Sequence, residues 1–357
     1  MAAVVDSQLM LTASDGDGEL SDAALRAVLA AKAPGGGGLP AVAADAALRC
    51  SASACGGDAL DGLLARLAAG AGRVLLADCT AGDTAALHSR ALGLGCGVAL
   101  ANKKPLVCPL PQYRQLTALP RRLRAESTVG AGMPVHAALG RVLAAGDAVR
   151  RVAGAFSGTL GVVMSGLEDG RPFSAVVADA KAAGYTEPDP RDDLSGLDVA
   201  RKALILARKL GWPLELHDVA VESLYPPEMA PEVRRTLIAR TAVGLTRFIR
   251  WQHLSVEAFM ARLPELDAAF AARAEAAKAA GSVLRYAAVV EGGAARVGVQ
   301  AVPASSPLGQ LHGSDNLVEI HSDVYAPAPL VLQGRGAGAA ATAAGVLADL
   351  LELHDCR

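Results

Sequence analysis

The stretch Arg73-Val-Leu-Leu-Ala-Asp78 decides the fold. This apolar run ends on an acidic residue and is followed by a turn over Cys79–Asp83 and a helical pattern reaching about Leu94. A second apolar run, Gly97–Ala101, ends on Asn102-Lys103-Lys104-Pro105. Strand, helix and strand in this order predict a βαβ unit of a parallel sheet, with polar residues at the carboxyl ends of both strands. Ligands of open parallel sheets sit at that edge.

Toward the N-terminus, Ala2–Val5 predicts a short buried strand, Asp6-Ser7-Gln8 a polar turn, and Ser21–Lys32 a helix capped by Ser21. Residues Ala33–Asp61 carry APGGGGLP and CSASACGGDALDG and predict a flexible surface loop. From Arg151 onward, strands (Arg151–Ser157, Val283–Val290, Ala295–Val302, Leu317–His321) alternate with helices (Phe173–Ala183, Gly196–Leu210, Ser255–Ala280). Consecutive strands near the end predict a mixed or antiparallel sheet with helices on one face. Pro231–His253 reads as an insertion forming a solvated helix. Gln333–Gly338 predicts a Gly-rich turn opening a helix over Thr342–Leu353, an arrangement that can present backbone N–H groups to an anion.

The chain has 357 residues, enough for two domains of about 150 residues each. Hydrophobic residues at 52% and charged residues at 20% exclude disorder as the dominant state. Thirty-four basic and thirty-six acidic residues leave a net charge of -2, too weak a field to hold nucleic acid. The six cysteines, Cys50, Cys55, Cys79, Cys96, Cys108 and Cys356, lack the spacing of a disulfide scaffold or zinc site and read as thiols of a reducing compartment. No apolar run is long enough to predict a membrane span, and MAAVVDSQLML has the pattern of neither a secretion signal nor a transit peptide.

The window that carries chemistry is GYTEPDPRDDLSGLDVARK, Gly184–Lys202. Two prolines predict an extended loop over Glu187–Pro190. Ser195 then reads as the cap of a helix, with Asp198 three residues on in a capping-box-like position. Asp198 and Lys202, four apart, share one helical face. An ordinary exposed ion pair is the bland reading. The density of ionisable groups beside a rigid loop favours another, an amine held next to carboxylates in a cleft, able to protonate an oxygen that gains charge during reduction.

This window resembles homoserine dehydrogenases, together with ESTVGAGMPV (Glu126–Val135), FSGTL (Phe156–Leu160), DCTAG at Asp78, ANKKP at Ala101 and QGRGAGAAATAAGVLADLL near the C-terminus. The resemblance covers nearly the whole chain, and EAFMARLPELDAAFAARAEAAKAAGSVLRYAAVV is similar to the plant and enterobacterial bifunctional aspartokinase–homoserine dehydrogenases. It implies an α/β fold: a Rossmann-like nucleotide-binding region over 1–125 plus 336–357, a hinge and dimerisation region over 126–150 plus 300–335, and an α+β catalytic, substrate-binding region over 151–299. The implied reaction is NAD(P)H-dependent reduction of L-aspartate 4-semialdehyde to L-homoserine, toward threonine, isoleucine and methionine. Lys202 would be the general acid, Asp198 its orienting partner, and Lys103 a second lysine sharing the proton transfer. Glu187 and Asp193 would hold the substrate amino end, with Ser157, Gly158, Thr159, Tyr185 and Thr186 close by. Thr80, Ala81, Asn102, Lys103 and Gly336 would lie along NADP or NAD. Glu126 and the carbonyls of Val129, Ala131 and Met133 would bind a monovalent cation, sodium or potassium. A homodimer, an upstream aspartokinase domain, and a plastid stroma in a plant or alga, or otherwise the cytoplasm, are also implied.

The resemblance breaks at the start. Family members open with a strand, a Gly-rich phosphate turn and a helix; here Ala2–Met10 resembles the second strand and its turn, and no G-x-G-x-x-G occurs near residue 1. The expectation is a nucleotide-binding region lacking its first βα unit and pyrophosphate cradle. Asp6, Ser7 and Gln8 do not choose between NAD and NADP. A silent paralogue acting as a dimerising interaction protein is the competing function, disfavoured because Lys103, Glu187, Asp198 and Lys202 are all retained. Aspartate-semialdehyde dehydrogenase chemistry would need an activated thiolate, and no cysteine has such a setting in the sequence.

Overall fold

The computed structural model describes residues 1–7, 9–13, 18–33, 35–43, 45, 48–52, 58–70, 73–241 and 244–355, without the side chains of 52, 58 and 233–252. Gln8, Cys55 and Cys356, singled out above, lie outside the described residues. The chain divides into two compact units, Met1–Ala125 with Leu347–Arg357, and Glu126–Val346.

The first unit contains β1 (Ala3–Val5), β2 (Leu9–Ala13), α1 (Asp22–Lys32), β3 (Leu48–Ala52), α2 (Asp58–Ala69), β4 (Leu75–Asp78), α3 (Ala85–Gly93), β5 (Gly97–Leu100), α4 (Leu110–Leu116) and β6 (Leu123–Arg124). The predicted βαβ unit is present: β4, β5 and β6 form a parallel sheet in that order, with Leu75 opposite Gly97 and Asp78 opposite Leu100. All four residues of β5 are buried, as a strand covered on both faces requires. A Cβ at Gly97 would fall 2.7 Å from Leu75 Cδ2, so a side chain there would require the Leu75 side chain to move.

Two expectations for this unit are corrected. The strand expected over Ala2–Val5 is present as β1, but it is half-buried, not buried, and its context is not that of a second Rossmann strand: β1 and β2 form an antiparallel pair, and β3 joins β2 to give a separate three-stranded sheet. Ala33–Asp61 is not simply a loop, since it supplies a 3-10 turn at Leu39–Val42, the strand β3 and the start of α2. The reason is burial: Leu39 and Leu48 pack with Leu11, Leu20, Ala24 and Val28 in a small core beneath α1. Ser21 caps α1 as expected, its Oγ accepting from Ala24 N at 3.2 Å.

The second unit contains α5 (Val135–Ala144), β7 (Val149–Ala155), α6 (Gly158–Glu168), α7 (Phe173–Ala182), α8 (Arg191–Leu194), α9 (Leu197–Lys209), β8 (Ala220–Val221), β9 (Glu232–Thr241), β10 (Gly244–His253), α10 (Val256–Arg262), α11 (Asp267–Ala279), β11 (Ser282–Glu291), β12 (Ala294–Pro303), β13 (Asp315–Ser322) and β14 (Leu330–Arg335). α12 (Ala339–Asp355) begins in this unit and ends in the first. The sheet is mixed, in the order β14-β13-β7-β11-β12-β8, antiparallel except for the β12–β8 pair. α6, α9 and α11 pack on β11, and α9 extends onto β12. The sheet and these helices enclose the main core, in which Phe156, Leu160, Met164 and Leu204 are at most 1% exposed.

The Pro231–His253 insertion is a β-hairpin, not a solvated helix: β9 and β10 pair antiparallel from Glu232–His253 to Thr241–Gly244. Its Val, Thr, Ile, Phe and Trp residues suit a pleated strand better than a helix, a preference that outweighs its arginines. The helix predicted over Ser255–Ala280 is broken by a 3-10 turn at Leu263–Leu266, where Pro264 cannot donate to a helical ladder. Ser195 does not cap the Lys202 helix. Gly196 does, at φ 73, and the capping box with Asp198 is not formed. Among the described residues, no helix is long and apolar enough to cross a membrane.

Candidate active site

In the second unit Lys202, the lysine expected to act as the acid, is placed by α9. Lys202 is 8% exposed, and its Nζ lies 2.8 Å from Asp198 Oδ2, one helical turn earlier. The same ammonium donates to the Phe156 carbonyl at 2.6 Å. The ion pair predicted from i, i+4 spacing therefore exists, but it is built against a backbone carbonyl at the end of β7 and is no ordinary surface pair. Two aimed acceptors fix the direction of the amine.

Directly after Phe156, Ser157 caps α6 through a 3.2 Å bond from Leu160 N. This turn brings Thr159 to the acidic loop. Its Oγ1 is 2.7 Å from the Tyr185 carbonyl and 3.0 Å from Asp193 Oδ1, while Asp193 Oδ2 accepts from Glu187 N at 2.8 Å. Burial pushes the Asp193 carboxyl up, and the negative charges of Glu187 and Asp192 add to this against the hydrogen bonds from Glu187 and Thr159. Gly158 packs on the Ser314 turn, where a Cβ would be 3.1 Å from the Ser314 carbonyl oxygen. Glu187, Asp193, Thr159, Gly158 and Tyr185, drawn from residues 158–193, are thus linked through one turn and one loop. The Tyr185 side chain is 51% exposed and joins the cluster through its carbonyl only.

The loop is rigid for a reason the sequence reading missed. Arg191 is 2% exposed and grips Asp189 with Nε and Nη2, at 2.9 and 2.7 Å. Its Nη1 donates to the Leu254 carbonyl at 2.9 Å, and the guanidinium lies 5.2 Å from the Phe259 ring centroid. Burial raises the Asp189 carboxyl, but the Arg191 hydrogen bonds more than reverse this and leave it below its ordinary range. The pairing of Asp189 with Arg191 two residues on offers a sequence signal only in hindsight, because burial of the arginine depends on Phe259 and Leu254.

Gly196 sets the start of α9. A Cβ there would lie 1.8 Å from the Tyr286 hydroxyl, which donates to the Glu222 carbonyl at 2.6 Å. Positive φ and this close approach both demand glycine.

In the first unit, the edge expected to meet the cofactor is organised by Asp78, which is 4% exposed. Its carboxylate accepts from Thr80 N (2.9 Å), Thr80 Oγ1 (2.7 Å), Thr84 Oγ1 (2.6 Å) and Asn102 Nδ2 (3.0 Å), with His88 Nε2 at 2.7 Å. Burial pushes this carboxyl up, but the donors together hold it far below the usual carboxylate range. Asn102 is 4% exposed and also donates to the Gly82 carbonyl at 2.9 Å, so its amide braces the edge from behind. Thr80 and Ala81 are exposed on the turn. Lys103 follows at the head of the 3-10 turn Lys104–Val107, partly exposed. The hub role of Asp78 and the contributions of Thr84 and His88 escaped the sequence reading; the density of hydroxyl residues in DCTAGDT was the available signal.

Glu126 closes the N-terminus of α5: Oε1 accepts from His136 N at 2.5 Å and Oε2 from Ala137 N at 2.9 Å. Between them the loop turns through Gly130 (φ 82) and Ala131 (φ 55), a non-glycine residue in the left-handed region. Val129, Ala131 and Met133 are at most 8% exposed. The Met133 carbonyl accepts from Val135 N at 2.8 Å. Gly336 follows β14 and packs against Asn316. The exposed thiol of Cys79 is pushed up by partial burial and then by the Asp78 charge, the opposite of nucleophile activation.

The homoserine dehydrogenase family profile matches residues 134–351. The chain belongs to the homoserine dehydrogenase family. It is 41% identical over 286 residues to the chloroplastic bifunctional aspartokinase/homoserine dehydrogenase 1 of Zea mays, a match covering 78% of this chain and 29% of that protein. The chain thus spans less than a third of that relative's length. It is 39% identical over 307 residues to the homoserine dehydrogenase of Emericella nidulans, covering 82% of this chain and 78% of that one. Among solved structures, a Candida auris protein of unknown function matches with TM-score 0.77 and 30% identity, over 98% of this chain and 88% of that one. A hyperthermophilic archaeal homoserine dehydrogenase in complex with NADPH matches with TM-score 0.67 over 99% and 87%, at 18% identity, a likeness of fold. As a homoserine dehydrogenase family member the chain is mixed α/β, with a Rossmann-like nucleotide-binding region and a catalytic sheet region.

Proposed function

We propose that this chain carries out the family reaction, NAD(P)H-dependent reduction of L-aspartate 4-semialdehyde to L-homoserine. The observation that carries the reading is the buried Lys202 ammonium, held by Asp198 and the Phe156 carbonyl beside the Thr159–Asp193 cluster. A bound reduced nicotinamide supplies the hydride to the aldehyde carbon. Lys202 gives a proton to the aldehyde oxygen as it gains negative charge, and Lys103 shares that role. Asp198 orients the lysine. Glu187 and Asp193 hold the substrate ammonium, with Gly158, Thr159 and Tyr185 shaping its seat. Protonated Asp193 would bind a cation poorly, so substrate binding favours its ionised form.

Thr80, Ala81, Asn102, Lys103 and Gly336 are the residues assigned to NADP or NAD. The exposed backbone of the Thr80–Ala81 turn, braced by Asp78, fits a dinucleotide passing close to the main chain. NADPH in the archaeal structure favours the phosphorylated form. The Glu126 loop is assigned to a monovalent cation: a carboxylate and the carbonyls of Val129, Ala131 and Met133 are hard oxygen donors in one tight, buried turn. Residues 126–150 with 300–335 are assigned to a homodimer contact, and the bifunctional relatives favour an aspartokinase region joined to this one. If the source is a plant or alga, the plastid is the expected compartment.

The deciding experiment is turnover of L-aspartate 4-semialdehyde, followed as NADPH oxidation. Lys202→Ala should lower kcat by two or more orders of magnitude, with substrate affinity nearly kept. Unchanged turnover would remove Lys202 from the chemistry. Substrate binding without turnover in the unaltered chain would favour the silent, dimerising alternative.

A further inference from the structure

Asn316 lies on β13, opposite Gly334 of β14 and next to the Leu317–Ala155 pair with β7. It is fully buried, 0% exposed, and neither Nδ2 nor Oδ1 has a hydrogen-bond partner. Such a doubly orphaned amide is rare in a folded protein, where buried polar side chains are almost always paired. Gly336 packs directly on it: a Cβ there would fall 1.8 Å from Asn316 Cγ. Gly336 is half-buried, whereas Ala337 and Gly338 are exposed, so the glycine packed on the amide begins a turn that reaches solvent. The turn Gly336–Gly338 ends β14 and opens the 17-residue helix α12, and its last residue has φ 108. On the other side of β13, Phe156 follows Ala155, and its carbonyl receives Lys202 Nζ. A donor and an acceptor without partners therefore lie under a glycine turn, one strand from the proposed acid.

We propose that Asn316 receives the primary carboxamide of the nicotinamide ring, which reaches it when the Gly336–Gly338 turn shifts off the amide. The inference rests on the cofactor assigned above. A primary carboxamide presents one donor nitrogen and one acceptor oxygen in a single plane, the complement of Asn316 Oδ1 and Nδ2. An anion at the α12 N-terminus would use only the donor and leave Oδ1 orphaned; the substrate's aldehyde carbonyl likewise offers no donor, and its ammonium is assigned to Glu187 and Asp193. Glycine at 336 leaves room for Asn316 when the turn is closed and lets the backbone move away when it opens.

The test is equilibrium binding, read by fluorescence titration, of NADPH and of its 3-acetylpyridine analogue, in which a methyl group replaces the carboxamide nitrogen. The unaltered chain should bind NADPH about tenfold more tightly than the analogue, the worth of one or two hydrogen bonds. Asn316→Leu, similar in shape and without polar atoms, should bind both equally and, having no orphaned amide, should unfold at a higher temperature. Asn316→Asp, which keeps the shape, supplies a second variant if leucine prevents folding, and should also weaken NADPH binding. Equal preference for NADPH in the unaltered chain and the variants overturns the inference and leaves the functional reading standing. No NADPH binding by the unaltered chain overturns both, whereas Asn316-dependent binding without turnover overturns only the functional reading.

Discussion

Replacing Asp78 by alanine removes one carboxylate from Thr80, Thr84, His88 and Asn102 together. The consequences differ by donor. Thr80 is exposed, so water takes over its partner, and Asn102 keeps the Gly82 carbonyl. Thr84 and His88 are 3% and 0% exposed and lose the acceptor at Asp78. His88 suffers most, because its Nδ1 already has no partner and the whole imidazole becomes unsatisfied. Each buried donor left unpaired costs about 1–3 kcal/mol, and the two share one network, so the expected loss is about 2–5 kcal/mol. Urea unfolding followed by circular dichroism reads this directly. Asp78→Asn, which keeps one acceptor oxygen, should lose roughly half as much, and a double-mutant cycle with His88→Leu should return a coupling of about 1.5–3 kcal/mol. A loss in Asp78→Ala below about 0.5 kcal/mol, the range of an indifferent surface site, would refute the hub. Acid gives an independent reading. The folded-state value of Asp78 is depressed, so its contribution is complete above the ordinary carboxylate value of about 3.9 and disappears as pH falls below it. Asp78→Asn should therefore flatten the stability curve below about pH 4.

Gly196→Ala forces a side chain into the left-handed region and against the Tyr286 hydroxyl, for a cost of about 2–4 kcal/mol from backbone strain and the disturbed bond to Glu222. Because Asp198 and Lys202 follow on the same helix, kcat should fall along with the melting temperature; if both stay unchanged, the glycine does not position α9. Asp193 titrates in the opposite sense to Asp78: its folded value is raised, so its contribution to stability is complete below the ordinary carboxylate range and is lost as pH rises through the raised value. Asp193→Asn, neutral throughout, should give a flatter melting-temperature profile over that acid interval, and an identical slope in both proteins would contradict the burial argument.

The βαβ unit was readable because each strand and helix in Arg73–Ala101 carries its own period and punctuation, and adjacency in sequence is enough to pair them. The Asp198–Lys202 pair was readable for the same reason, since four residues of helix put two side chains on one face whatever surrounds them. Ser195 misled for a related cause: a good capping residue stood one position before a glycine that the contact with Tyr286 makes obligatory. The hairpin at Glu232–His253 misled through its arginines, which mask a strand composition when charge is read before branching. The burial of Arg191 and Asn316 had no signal in sequence, because an arginine or asparagine looks alike on a surface and in a core.

The sequence by itself determined the family motifs, the parallel strand pair and the identity of the amine and its carboxylate, all of which depend on residues close together in the chain. Tertiary structure alone decided that the Lys202 ammonium ends on the Phe156 carbonyl, that Asp78 serves four residues at once, and that Asn316 lies unpaired beneath Gly336. These arrangements join residues up to 46 positions apart across different elements. Whether a polar atom there finds a partner is a property of how strands and helices pack, which no local pattern encodes.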